Sequence, residues 1–236
     1  MSLVFGGAFH AGVEAFYRAR REGREAELAE LLKAFNLHWA RETVEKKLPV
    51  KYTAKIEDED GARDLAGNML AAFMAAAPEG EVVAVEEKFA VDLAPDLPPV
   101  VGTIDLVEIR ADADGVRRLH LVDHKTAARR PTWEDVDKDQ LLLYLEAVRR
   151  MPRIVALGLP LALSFAATTK TKLPTVVTVP VEPSTRETAR VVEKIRLCHR
   201  AMTAGLCYPA PGRGCGTCGY ARQCAVWPNL PAAQAA

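Results

Sequence analysis

Three side chains near the middle of the chain have the types and spacing to do chemistry. Asp105 lies in GTID at 102–105, and Asp123 and Lys125 lie in LVDHKT at 121–126. Two residues apart on an extended segment, Asp123 and Lys125 project to one face. Asp105 falls on the preceding strand, where its carboxylate can come beside that of Asp123. Two such carboxylates repel unless a cation sits between them, and hard oxygen donors with open positions suit Mg²⁺ or Mn²⁺. The flanks are apolar: Leu119, Leu121 and Val122 around Asp123, and Val101, Ile104, Leu106 and Val107 around Asp105. Charges in that setting are costly unless paired or metal-bound. The plainer alternative is a salt bridge among Asp105, Asp123 and Lys125 at a strand end.

A second signal closes the chain. All five cysteines lie between Cys198 and Cys224, and in a reducing compartment such a cluster reads as metal binding, not a disulfide framework. Cys215-x2-Cys218-x5-Cys224 is interleaved with Gly212, Gly214, Gly216 and Gly219, which permit a tight backbone wrap. The fourth ligand is Cys207 or Cys198. Cys198 shares an apolar helix face with Val191, Ile195 and Met202, where a plain core thiol belongs. Cys207 follows the helix-ending Gly205 and is free to turn toward the other three, so it is the expected ligand. Four thiolates hold zinc or an iron–sulfur cluster equally well.

The elements that must position these groups are legible in the periodicity. Helical spacing marks His10–Arg21, Glu25–Lys46 and Glu57–Ala77, the last closed by Pro78. Val-rich alternation then predicts strands over Glu81–Leu93, Val100–Arg110 and Val116–His124, the second pair joined by the turn-forming ADADG at 111–115. A helix over Trp133–Arg150, strands over Leu161–Thr168 and Thr175–Val181, and a helix over Thr185–Thr203 follow. The fold class is α/β: a central sheet flanked by helices, with an N-terminal helical region and a C-terminal metal knuckle.

Length and charge limit the readings. The 236 residues suffice for one large domain. With 31 basic and 31 acidic side chains the net charge is zero, so any contact with nucleic acid must be a local patch or a metal-bridged groove. No apolar run is long enough to span a bilayer, and MSLVFGGAFHAG lacks the features of a signal peptide. A cytoplasmic protein without membrane contact is the expectation.

Taken in order, the motifs resemble the RecB-like branch of the PD-(D/E)XK nucleases. Gly-x-x-Asp at 102–105 is followed by Asp-x-Lys at 123–125 on the next strand, then by a helix bearing Gln140 and Tyr144 one turn apart. Upstream, GGAFH at 6–10 is similar to the family's helix-borne Gly-x-x-x-His, and VEEKF at 85–89 to its strand preceding Gly-x-x-Asp. The matching order runs from His10 to Cys224. The resemblance implies a restriction-endonuclease-like mixed sheet and a metal-dependent deoxyribonuclease, an exonuclease working from ends and preferring single strands, in DNA repair, recombination or phage and CRISPR DNA processing.

By the same resemblance, His10, Asp105, Asp123 and the backbone carbonyl of His124 hold Mg²⁺ or Mn²⁺, and the His124 side chain matters little. Lys125 orients the attacking water or neutralises developing charge, and Gln140 and Tyr144 position Lys125 or the DNA backbone. Glu86 is a further catalytic or metal candidate, with a solvated strand residue as its alternative. Arg129, Arg130, Lys170 and Lys172 are candidate phosphate contacts, or else a solvated hairpin tip. For Cys207, Cys215, Cys218 and Cys224 the resemblance favours a [4Fe–4S] cluster over Zn²⁺, although the family's first cysteine lies upstream of the His motif and none stands there in this chain. The expected organisation is a nuclease domain over 1–204, the cysteine cluster packed on it at 205–226, and a tail at 227–236. Two other readings stand beside this one: a non-catalytic DNA-binding module with a zinc knuckle, and a nuclease subunit active only with a helicase or recombination partner. No Gly-x4-Gly-Lys-Ser/Thr motif is present, so unwinding must come from another chain.

Overall fold

The computed structural model describes residues 2–48, 50, 52, 56, 58–112, 114–132, 137–206, 208–212, 215 and 218–227. Five strands form one sheet in the order β1-β2-β3-β4-β5: Glu81–Val91, Val100–Ala111, Arg117–Ala127, Leu161–Thr169 and Val176–Val181. All neighbours are antiparallel except β3 and β4, which are parallel. That parallel step needs a crossover, supplied by α4 (Lys138–Val148) and the short α5 (Pro152–Val155). The mixed α/β class expected from the strand and helix order is what the chain adopts.

Each face of the sheet has its own core. On one face α1 (Ser2–Arg21), α2 (Leu28–Ala40) and α3 (Glu59–Ala76) bury Phe5, Phe9, Tyr17, Phe35 and Phe73 against Val85, Leu106, Val122 and Ala166. On the other, α4, α5 and α6 (Thr185–Thr203) bury Leu141, Leu145, Ile154 and Val191 against Ile104, Val107, Leu119 and Leu121. Asp58 caps α3 by accepting from the Gly61 amide at 2.8 Å, and Ser184 with Glu187 forms a capping box at α6. Among the described residues no helix is long and apolar enough to cross a membrane.

The boundaries depart from the periodicity in instructive places. Helix α1 begins at Ser2, eight residues before the expected His10, because Val4, Phe5, Ala8 and Phe9 are all buried and carry the turn through Gly6-Gly7. The second helix does not run to Lys46 as a regular α-helix: Arg41–Glu45 form a π-helical turn. Strand β3 continues past His124 to Ala127, since its end pairs with β4 rather than with β2. A short helix, α7 (Ala221–Val226), lies within the cysteine segment. The expected start of the fourth helix, Trp133, lies outside the described residues, as does Cys207.

Cys198 is a correction. It is exposed, not a core thiol. Helix α6 buries Thr188 and Val191 near its start, whereas Leu197 and Met202 farther along are 55% and 77% exposed. Its apolar stripe therefore outruns the surface that α4 offers.

Candidate metal centre in a fork of the sheet

The pairing of β2 with β3 runs from Ala111↔Arg117 to Leu106↔Val122 and goes no further. Beyond that point β2 stays with β1, as far as Val100, and β3 stays with β4, as far as Ala127. The sheet thus forks, with Asp105 at the root of one prong and Asp123 and Lys125 on the other. The His124 amide bonds the Asp105 carboxylate, Oδ2, at 2.8 Å. A side chain continues the ladder where the backbone has left it.

Glu86 enters the site through an unusual backbone. Its φ is +49°, a left-handed value that non-glycine residues adopt at a cost, and such strain gathers at functional sites. The consequence is visible in its neighbours. Val85 packs in the α1-side core, whereas Phe89 packs in the α4-side core and Glu87 pairs with Arg153 of α5. Strict alternation would put Val85 and Phe89 on one face. The left-handed residue breaks the alternation and leaves the Glu86 carboxylate opposite Asp105, below α1.

Helix α1 supplies the third member. His10 Nδ1 lies 3.7 Å from Asp105 Oδ2. Among the described residues His10, Glu86 and Asp105 form one set whose ligand atoms lie close enough to share a metal ion, all within 4.8 Å of one another. Asp123 stands outside that set, buried and bonded through Oδ1 to Lys125 Nζ at 2.8 Å. Lys125 Nζ also donates to Gln140 Oε1 at 3.1 Å, and Gln140 Nε2 donates to the Tyr144 hydroxyl at 2.7 Å. The expected helix pair therefore does sit against the lysine. Because an ammonium only donates, it fixes which way the Gln140 amide faces.

Behind this relay, Gly102 explains itself. A Cβ there would meet Phe89 Cζ at 2.5 Å. Phe89, its partner across β1–β2, lies over the glycine and meets Tyr144 edge to face at 6.2 Å.

The electrostatics are those of a site short of positive charge. Burial first, then the Asp105 and Glu14 carboxylates, push Glu86 up to about 7. Burial raises Asp123 to about 6, with Lys125 opposing and Asp105 reinforcing. Asp105 is also raised by burial, although the His124 amide and Lys125 pull it back. Burial and Lys125 lower His10, against the pull of Asp123 and the His124 backbone, which keeps the imidazole a neutral lone-pair donor. Carboxylates raised together beside a neutral imidazole fit a hard divalent cation, which offsets their repulsion and takes oxygen and nitrogen donors.

The His124 side chain points away from this centre. It is buried between Tyr17 and Phe73, each ring centroid 5.6 Å away, and burial pushes its pKa down to about 3.

The other expected residues lie farther out. Arg129, Arg130 and Lys172 are exposed. The Lys170 amide bonds the Ala127 carbonyl at 2.7 Å, which brings the β4–β5 hairpin against the end of β3. Cys215, Cys218 and Cys224 are exposed, and the Gly212 amide donates to Cys215 Sγ at 3.2 Å.

A family profile described as the PD-(D/E)XK nuclease superfamily matches residues 1–225. No curated protein is similar enough in sequence to count as a match. Among solved structures, the chain is similar to a Eubacterium rectale protein described as "Putative exonuclease". The TM-score is 0.47 at 19% identity, over 87% of this chain and 78% of that one.

Proposed function

The chain belongs to the PD-(D/E)XK nuclease superfamily, and from that premise we propose that it is a Mg²⁺- or Mn²⁺-dependent deoxyribonuclease. It hydrolyses phosphodiester bonds from DNA ends and prefers single strands, in DNA repair, recombination or the processing of foreign DNA. The observation that carries this reading is the fork itself, with His10, Glu86 and Asp105 gathered beside one prong and Asp123 and Lys125 on the other.

His10, Glu86 and Asp105 would hold the ion, and Asp123 and the His124 carbonyl would add donors from the second prong. When bound, the ion polarises the phosphate and makes a nearby water a stronger acid. The chain's own groups do the rest. Lys125, held beside Asp123 and Gln140, would offer its ammonium to the attacking water and to the charge growing on the phosphate oxygens. Gln140 keeps the ammonium from swinging away, and Tyr144 holds Gln140. Arg129, Arg130, Lys170 and Lys172 contact DNA phosphates beyond Lys125.

The reading extends to Cys207, Cys215, Cys218 and Cys224 as ligands of a [4Fe–4S] cluster that pins the C-terminal segment. The cysteine spacing and its glycines support this.

End-labelled single- and double-stranded DNA incubated with Mg²⁺, Mn²⁺ or EDTA tests the activity. Cleavage is expected with either metal and none with EDTA, and the Asp123→Ala and Lys125→Ala proteins should be folded and inactive. Near-wild-type cleavage by either variant overturns the assignment.

A further inference from the structure

A groove of about 920 Å³ opens beside the metal centre and reaches His10, Glu86 and Asp105 at its inner end. It runs between α1 and α2, and small residues of both helices line it: Gly6, Gly7, Ala11, Ala15 and Ala34. Leu3 and Leu37 stand on it 88% and 65% exposed, large apolar side chains with no cover among the described residues.

Its basic groups are Arg18 on α1 and, at the end of α2, His38 and Arg41. The His38 imidazole lies against α1 so closely that a Cβ on Gly7 would meet Nε2 at 2.7 Å. Gly7 is one helical turn before His10 on α1, so His38 meets that helix beside the metal ligand. Arg41, one turn on from His38, begins the π-helical turn, a distortion common at functional sites. Inside that turn the buried Glu42 carboxylate, Oε1, gathers Lys46 at 2.8 Å, Arg41 at 3.3 Å and His38 at 4.0 Å. One carboxylate thus orders two cations and an imidazole. Glu14 on the opposite wall is paired with Arg18 at 2.6 Å, and Glu45 at the rim is the acidic group a strand has to pass.

We propose that this groove is the path of the DNA strand, with His38 and Arg41 binding the phosphate next to the one at the metal centre. The proposal rests on the nuclease reading. The spacing suits it, because a group one helical turn from the ligand His10 meets the neighbouring phosphate, not the reacting one. Leu3 and Leu37 meet bases, which present an apolar face whatever their sequence. A single strand suits this surface better than a duplex, because only unpaired, unstacked bases can turn a face toward Leu3 and Leu37. Glu42 is a positioning residue: it holds Arg41 and Lys46 and touches no DNA.

The test measures anisotropy of a fluorescein-labelled oligothymidylate with the full chain carrying Asp123→Ala, so that nothing is cleaved. Adding Arg41→Ala should weaken binding about fivefold to tenfold and reduce the salt slope by about one. Adding His38→Ala should weaken it about threefold. Arg63→Ala, which removes a charge from α3 outside the groove, should change nothing. In the active chain, Arg41→Ala should raise KM with kcat and Mn²⁺ affinity unchanged, which misfolding or a damaged metal site does not produce. An unlabelled duplex should compete at least tenfold less well than a single strand. Unchanged affinity and salt slope on adding Arg41→Ala, while the chain with Asp123 intact cleaves DNA, overturns the path and leaves the nuclease reading standing. A parent chain that neither binds nor cleaves DNA overturns both.

Discussion

At the scale of single residues, the metal-free site works against the fold. Glu86 and Asp123 titrate near 7 and 6 in the folded chain, above the ordinary carboxylate values of 4.5 and 3.8. The folded state therefore holds protons that the unfolded state has released. These two carboxylates contribute stability that is full below about pH 4 and is lost as pH rises toward about 7. The buried His124, held at about 3, contributes in the opposite sense, so the Glu86 share is read as the difference between the metal-free melting profiles of the parent and a Glu86→Gln chain. A divalent ion replaces those protons, so melting scans with Mn²⁺ should show the loss shrink or reverse. The Glu86→Gly protein separates strain from chemistry. Glycine accepts the left-handed φ of +49° and carries no carboxylate. Its metal-free Tm at pH 7.5 should rise, by about 1 kcal/mol of stability, while its Mn²⁺ affinity falls at least tenfold. A lower metal-free Tm, or undiminished affinity, contradicts the role given to Glu86. The Asp105, Asp123 and Lys125 signal was legible because those charges interrupt apolar strands. The place of Glu86 was not, since its carboxylate reaches the site only through a backbone turn that no side-chain pattern encodes. The groove residues His38 and Arg41 were equally hidden, lying on a helix whose distortion the periodicity does not show.

At the scale of elements, one hairpin and one helix set the relay. The β1–β2 pair puts Phe89 over Gly102, Phe89 braces Tyr144, and α4 carries Tyr144 and Gln140 to Lys125. Gly102→Ala forces the Phe89 ring aside, since the added Cβ would lie 2.5 Å from it. Overpacking of this kind costs about 1–3 kcal/mol. The variant should show a Tm lower by several degrees, and kcat reduced more than KM because the lysine loses its brace. A protein with unchanged Tm and kcat shows that the ring moves freely and braces nothing. The strands were readable from Val-rich alternation and α6 from its period and the Gly205 that ends it. The end of β2–β3 pairing was not, because it depends on which neighbour each strand keeps. The exposed Cys198 teaches the same lesson: the periodicity of α6 shows an apolar face but not how much of it a partner covers.

At the scale of the whole molecule, the N-terminal helices and β1–β2 bring His10, Glu86 and Asp105, while β3 with α4 brings Asp123, Lys125, Gln140 and Tyr144. The cysteine segment follows α6 in the chain. If it holds the proposed cluster, anaerobically purified protein should be brown, and Cys207→Ser, Cys215→Ser, Cys218→Ser or Cys224→Ser should each bleach it and lower stability. Cys198→Ser should keep the colour. Colourless protein carrying zinc refutes the iron–sulfur assignment, and a bleached Cys198→Ser beside a brown Cys207→Ser exchanges the fourth ligand.

The bond from the His124 amide to the Asp105 carboxylate gives the chain a built-in reporter. An amide held by a carboxylate resonates and exchanges according to the charge on that carboxylate, not according to the integrity of a strand pair. Protonating Asp105, or drawing its electrons toward an ion, weakens the bond and leaves the ladder from Leu106↔Val122 to Ala111↔Arg117 intact. One backbone signal in an NMR spectrum therefore follows occupancy of the fork while its strand neighbours stay still.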